Sequence, residues 1–376
     1  MRHTWVLTVV CSLLQTGTAF ATDPAQKDIS SLIAPVIQAN NVPGMAATVI
    51  QSGEIVRVGA AGVRTRGKLE NVTVADRFHI GSDTKAMTAM LCGILVDEGK
   101  LKWDQTIGET FPELSKTMDP QYRTVTLEQL LTNRGGAPEQ LMKDNLWARV
   151  WQQQGTPTEA RHFLLTEVTS KPPEAAPGEK FIYSNAGFSI AGHMAEKVTG
   201  KSWEDLIRER IFVPLKMTNS GFGAPGTSRK NDQPRGHEAS GIAIEPDSKS
   251  PPADNPVAIG PAGSVHCSIE DWARFVMVYL PSSKTKLVKP ETLTKLQTPV
   301  PGPMNYAMGW RVLNNQPWAN GPALTHAGSN TMWYAVAWIA PKRDFAVLVA
   351  CNQANPKACN DAVLAIIGDH FNGAKK

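Results

Sequence analysis

Ser82 and Lys85 stand three residues apart in Phe78-His79-Ile80-Gly81-Ser82-Asp83-Thr84-Lys85-Ala86-Met87, where an extended segment turns at Gly81 and runs into a helical pattern. On a helix, residues three apart share a face, with Cβ atoms roughly 5–6 Å apart. A neutral amine at that distance can take the proton of a hydroxyl. Ser82 then becomes a nucleophile, with its own N–H at the positive end of the helix dipole. The same pair also reads as a capping serine and a solvated first-turn lysine. Spacing does not choose between them, because Ser283-Lys284-Thr285-Lys286 repeats it inside a polar run.

Two other stretches offer complementary chemistry. Tyr183-Ser184-Asn185 follows Ala176-Pro177-Gly178-Glu179-Lys180-Phe181-Ile182, so a short extended segment delivers a phenol into a turn before a helix. Tyr183 can relay a proton, and Asn185 can both donate and accept, toward a substrate amide or toward Lys85. A capping Asn beside a buried Tyr is the structural alternative. His326-Ala327-Gly328-Ser329 is expected just before an apolar strand. Its small residues let a substrate approach the backbone, and the Ser329 N–H can join that of Ser82 in an oxyanion hole. The alternative is a turn held by a hydrogen-bonded His.

The elements that must position these residues follow from periodicity. Ile29, Leu32, Ile33, Val36 and Ile37 predict a helix over Gln26–Asn40, with Pro35 as a possible kink. Met45–Ile50 and Ile55–Val58 flank Ser52-Gly53 as a hairpin. A helix is expected from Ser82 to Gly99, and Thr126 with Gln129 forms a capping box before Leu130. Helical segments continue through Trp147, Arg161–Thr169, Ala186–Val198 and Trp203–Phe212. Ala224–Asn255, rich in Pro, Ser, Asp and Gly, reads as a long loop of the kind that covers sites. A helix over Asp271–Tyr279 precedes apolar runs at Ala307–Val312, Met332–Ala340 and Phe345–Ala350. Pro341–Asp344 turns the last two into a hairpin, and a helix over Ala362–Phe371 closes the chain. The expected class is α+β: an antiparallel sheet assembled from both ends of the chain, flanked by helices, with a helical insert. Residues 22–376 are expected to form one domain, with an α/β part at about 22–81 and 260–376 and a mainly helical part at about 82–259, loop 224–255 included. The chemistry should lie where insert and sheet meet.

Taken in order, Ser82-x-x-Lys85, Tyr183-x-Asn185 and His326-x-Gly328 resemble the motifs of the serine β-lactamase and penicillin-binding-protein superfamily. The Tyr-x-Asn form is similar to class C β-lactamases, D-Ala-D-Ala carboxypeptidases, D-aminopeptidases and β-lactamase-like esterases. The likeness covers most of the mature chain and includes Leu130-Leu131-Thr132, Pro177-Gly178, Pro214-Leu215-Lys216-Met217, Gly260-Pro261-Ala262-Gly263 and Tyr306-Ala307-Met308-Gly309-Trp310. It implies Ser82, Lys85 and Tyr183 as catalytic residues, and Asn185, His326, Gly328 and Ser329 as substrate-binding ones. The implied reaction is two-step acyl transfer to water from carboxylic esters, small amides or D-amino-acid peptides, with neither metal nor cofactor. Two alternatives accompany it: a β-lactamase or D-Ala-D-Ala carboxypeptidase, and a non-catalytic relative that binds cell-wall fragments or a partner. His326 stands where β-lactamases usually carry Lys, and a mostly neutral His is a weaker anion anchor. Met332-Trp333 is expected to narrow the site, and Asn133-Arg134-Gly135-Gly136 replaces the more usual His-Thr-Ser-Gly.

Composition excludes other classes. Of 376 residues, 42% are hydrophobic and 19% charged, which describes a globular protein. A net charge of +4 with no dense Lys/Arg run gives nucleic acid no footing. Arg2 and His3, the apolar run Trp5–Leu14 and Ala19-Phe20-Ala21 form a signal-peptide pattern with cleavage expected after Ala21, hence an exported, periplasmic or secreted protein without stable membrane insertion. Cys351 and Cys359 are close enough in sequence to pair, although sequence leaves that open; Cys92 lies in a helical pattern as a small hydrophobe. No His or Cys spacing fits a metal site, and no Gly-x-Ser-x-Gly occurs.

Overall fold

Every residue of Phe345–Cys351 is buried, which a strand achieves only when both faces of its sheet are covered. Its side chains sort by the period of two. Phe345, Val347, Val349 and Cys351 join one apolar cluster with Ile33, Ile37, Val363 and Ile366. Ala346, Leu348 and Ala350 join the other, with Met90, Leu95 and Trp272. The computed structural model describes residues 26–372, so the expected leader lies outside the described residues.

The main sheet has seven strands, in the order Lys27–Asp28, Glu54–Gly62, Gly44–Gln51, Phe345–Cys351, Tyr334–Ala340, Ala323–Ser329 and Arg311–Leu313. Strands from both ends of the chain thus join in one antiparallel array, as expected, where Gly44–Gln51 pairs with Phe345–Cys351; the first, two-residue strand pairs parallel. The helices Ser30–Asn40 and Pro356–Asn372 cover one face, while Ile269–Met277 and, beyond it, Thr84–Asp97 cover the other. A second sheet joins Arg77–His79, Val265–Ser268 and Ser220–Phe222 and carries the segment that leads into Ser82.

Several boundaries differ from those expected. The helix after Gly81 begins only at Thr84, because Gly81–Asp83 form a 3-10 turn with Gly81 at φ +51°. The first helix starts at Ser30, with a strand at Lys27–Asp28 before it. His326 does not precede a strand but lies inside one, Ala323–Ser329, whose Thr, His, Gly and Ser content hides it from hydrophobic patterning. Tyr306–Trp310 is a buried turn, and the strand there is Arg311–Leu313. Trp333 does not narrow the cleft. It is 1% exposed and packs edge-to-face on Phe78 at 5.9 Å. Ala224–Asn255 is mostly loop, with one short pairing of Gly236–His237 and Ala243–Ile244. Cys351 and Cys359 stand as two thiols with sulfurs 3.4 Å apart.

Candidate active site

Lys85 is held by three hydrogen bonds in the interior. Its side chain is fully buried in the first turn of Thr84–Asp97. Nζ lies 3.0 Å from Ser82 Oγ, 2.7 Å from Asn185 Oδ1 and 2.9 Å from the Ala262 carbonyl oxygen. Burial lowers its pKa to about 7, against an opposing pull from Asp83. A substantial neutral fraction is therefore present near neutrality. Ser82, in contrast to the buried residues that follow it, keeps partial exposure. The look-alike pair differs on every count: Lys286 is exposed and Ser283 donates to the Thr285 carbonyl.

Asn185 reaches Lys85 because it opens the helix Asn185–Thr199, whose start is set by Ser184 Oγ accepting the Gly187 N–H at 3.1 Å. The extended approach to that helix is held by Asn133, left-handed at φ 57°. Its carbonyl and side-chain oxygens accept the N–H groups of Ile182 and Ser184. Asn133 replaces the more usual residue there and supplies the polar contacts itself. Tyr183 is partly buried, with Lys85 Nζ 4.7 Å from its ring centroid. Burial drives the phenol well above its ordinary pKa, with Ser82 pulling weakly the other way. Tyr183 is a neutral phenol at any physiological pH.

The third stretch meets the first through glycine. A Cβ built on Gly81 would overlap the Ser329 nitrogen and stand 2.7 Å from the Gly328 carbonyl carbon, so the Ser82 turn lies directly on the strand Ala323–Ser329. This seam brings the backbone amides of Ser82 and Ser329 together. His326 is 6% exposed, and burial holds its pKa at about 3, so the imidazole is neutral. Its Nε2 is 3.3 Å from the Tyr306 hydroxyl and its Nδ1 has no partner among the described residues.

The fold brings all seven expected residues to one place. It also adds four that sequence reasoning passed over. Asp83 is 1% exposed, neither carboxyl oxygen has a hydrogen-bond partner among the described residues, and burial raises its pKa well above its ordinary value. Tyr306 backs His326. Arg311, cross-strand partner of Thr325, is exposed and is the one charged residue lining a cavity of about 440 Å³ that reaches Tyr183 and His326. On the other side of the Ser329 seam, Glu238 helps to line a second cavity. Adjacency in the motif hinted at Asp83, and Tyr306 opens a segment of the family likeness without having been given a role there; the other two carried no signal in spacing. No group of three or more His, Cys, Asp or Glu able to hold a metal occurs among the described residues.

The family model for Beta-lactamase matches residues 29–368, nearly the whole described chain. The chain belongs to the Beta-lactamase family. Within it, the chain is similar to Protein flp of Staphylococcus aureus, 23% identical over 338 residues, and to the unguisins hydrolase ungD' of Aspergillus campestris, 25% identical over 348 residues. Each match covers 88% of this chain but only 64% and 62% of those relatives, so the chain spans less than two thirds of their length. Among solved structures it is similar to the D-alanine carboxypeptidase AmpC from Burkholderia cenocepacia, with a TM-score of 0.72, 21% identity, and coverage of 90% of this chain and 97% of that one. That likeness establishes that the two chains share a fold.

Proposed function

We propose that this family member is an exported serine hydrolase that transfers acyl groups from carboxylic esters or small amides, D-amino-acid peptides among them, to water. The observation that carries the reading is Lys85: fully buried, fixed by Asn185 and the Ala262 carbonyl, lowered in pKa to about 7, and 3.0 Å from Ser82 Oγ. In a purely structural role Ser82 Oγ would serve only as the third acceptor of the ammonium; the lowered pKa and the partial exposure of Ser82 are what favour a base beside a nucleophile.

In the reaction, neutral Lys85 accepts the Ser82 proton as Oγ bonds to the substrate carbonyl carbon. The carbonyl π electrons move to oxygen, where the Ser82 and Ser329 N–H groups hold the oxyanion. The carbon–leaving-group bond breaks as the carbonyl reforms, and the leaving atom takes a proton through the Tyr183 phenol, which is replenished from Lys85. Water then attacks the acyl-enzyme, giving its proton to Lys85 by way of Tyr183. The acid is released and Ser82 regains its hydrogen. Lys85 rather than Tyr183 suits the part of base, because the phenol is raised far out of the useful range.

The β-lactamase or D-Ala-D-Ala carboxypeptidase alternative gains one observation. His326, neutral and buried, cannot anchor a carboxylate by charge, but Arg311 offers a cation in the adjoining cavity. Purified protein and its Ser82→Ala variant, assayed on short p-nitrophenyl esters, a D-alanyl peptide and a chromogenic cephalosporin, separate the readings. Wild-type protein should label with a fluorophosphonate at Ser82 and hydrolyse at least the esters, whereas Ser82→Ala does neither. No labelling and no turnover of any substrate would leave only a binding role. Export is tested separately by the N-terminus of the secreted protein, expected to begin at Thr22.

A further inference from the structure

The proposed mechanism gives the cleft a direction. A leaving group that takes its proton through Tyr183 must depart toward the cavity lined by Tyr183, His326 and Arg311. The acyl group then extends the opposite way, past Ser329. A cavity of about 510 Å³ lies there, and its walls include Trp147, Trp151, Glu238, Asp254, Asn330 and Met332.

This cavity is linked through the chain to the turn that holds the nucleophile. Asn330 follows Ser329, whose nitrogen lies against Gly81. Asp254 Oδ1 accepts from His79 Nε2 at 2.7 Å, while His79 Nδ1 accepts the Gly81 N–H at 3.1 Å. The floor of the cavity is thus tied to the residue before Ser82 by two hydrogen bonds.

Its chemistry is one-sided. Trp147 and Trp151, one helical turn apart in Leu146–Trp151, present two half-buried indoles at right angles, centroids 6.2 Å apart. Two acidic residues of the segment 224–255, Glu238 and Asp254, line the same cavity. Glu238 makes no ion pair among the described residues; the Ser240 hydroxyl donates to it at 3.3 Å. Asp254 spends only one oxygen on His79. No Lys or Arg among the described residues lines the cavity. Aromatic faces attract a desolvated cation, and an unpaired carboxylate completes its neutralisation. An anionic acyl group would meet two like charges.

We propose that this cavity is the acyl-side specificity pocket and that it selects substrates bearing an ammonium group on the acyl portion, that is, aminoacyl esters or amides. The inference rests on the serine-hydrolase reading for its orientation, and Glu238 is its specificity-determining residue. The ammonium can be an α-amine or stand further out on the acyl chain.

p-Nitrophenyl esters with alanyl, 6-aminohexanoyl, hexanoyl and adipoyl acyl groups, assayed at constant pH and ionic strength, test it. The wild type should prefer at least one ammonium ester over hexanoyl about tenfold in kcat/KM, with adipoyl the poorest. Alanyl against 6-aminohexanoyl tells an α-amine from a remote one. Glu238→Gln should cut the ratio of ammonium to neutral ester at least fivefold, and Glu238→Lys should invert it in favour of adipoyl. Hexanoyl hydrolysed as fast as both ammonium esters, or a ratio untouched by Glu238→Lys, would overturn the proposal. Calorimetry on Ser82→Ala with 6-aminohexanamide, alaninamide and hexanamide decides it without turnover. Binding of an amine-bearing amide that is lost in Ser82→Ala/Glu238→Gln supports the pocket even if the hydrolase reading fails; equal binding of hexanamide refutes it.

Discussion

A side-chain carbon on Gly328 would overlap the Ile80 carbonyl oxygen and stand 2.5 Å from the Ser82 amide nitrogen. That nitrogen belongs to the turn that holds the proposed nucleophile, so the closeness of Gly328 to Ser82 sets the shape of the proposed oxyanion site. Gly328→Ala should separate the two amides. The expected outcome is a fluorophosphonate labelling rate at Ser82 lowered roughly 10²–10³-fold, the range seen when an oxyanion donor is lost. Circular dichroism should report the same secondary structure. Labelling at the wild-type rate would show that the seam does not matter.

The pH dependence follows from Lys85. A base must be neutral to act, so with a pKa of about 7 the rate kcat/KM should rise with pH and reach half its plateau near pH 7. Below that it should fall tenfold per pH unit. Lys85→Ala should lose about 10²–10⁴-fold across the range. Asp83 pulls the Lys85 pKa upward against burial, so Asp83→Asn should move the half-plateau to lower pH. An unmoved half-plateau in that variant would mean that Asp83 carries no charge next to the lysine.

Arg311 should act on the leaving group alone. With acetyl esters of matched phenols, Arg311→Gln should raise KM for a carboxylate-bearing phenol about tenfold or more, the loss of one charge-assisted hydrogen bond. Arg311→Lys should recover part of it. An equal effect on the uncharged phenol, measured in the same steady-state assay, would rule out charge recognition.

Away from the cleft, Arg161 bridges Glu196 and Glu204 at 2.6 and 2.8 Å with its side chain wholly buried. Burial by itself would raise the Glu196 carboxyl, but hydrogen bonds from His193 and Arg161 outweigh it and hold its pKa at about 2. A depressed carboxylate stabilises the fold above its unfolded pKa and loses that contribution as pH falls toward its folded value. About 3 kcal/mol should therefore disappear between about pH 4.5 and pH 2. Urea unfolding across that window should show the slope in the wild type and a shallower one in Glu196→Gln. The variant should also be less stable at pH 7, because Arg161 keeps only one full partner.

What the sequence by itself determined is local and ordered. Ser82 and Lys85 stand three residues apart at a helix entrance, which puts them within reach of each other. The capping box at Thr126 and Gln129 closes as written, each side chain accepting from the other's backbone. The hairpin at Ser52-Gly53 and the buried run Phe345–Cys351 follow from periodicities that any chain with those residues obeys. Tertiary structure decided the rest. Ala323–Ser329 is a strand because its neighbour Tyr334–Ala340 pairs with it, and not through its own propensity. Arg311 enters the cleft through its register with Thr325, and Glu238 through the course of a loop without periodicity. The pKa of Lys85 comes from burial by segments about a hundred and about 180 residues further along the chain. Desolvation is a sum over everything nearby, and nearness in space is what a linear pattern does not carry.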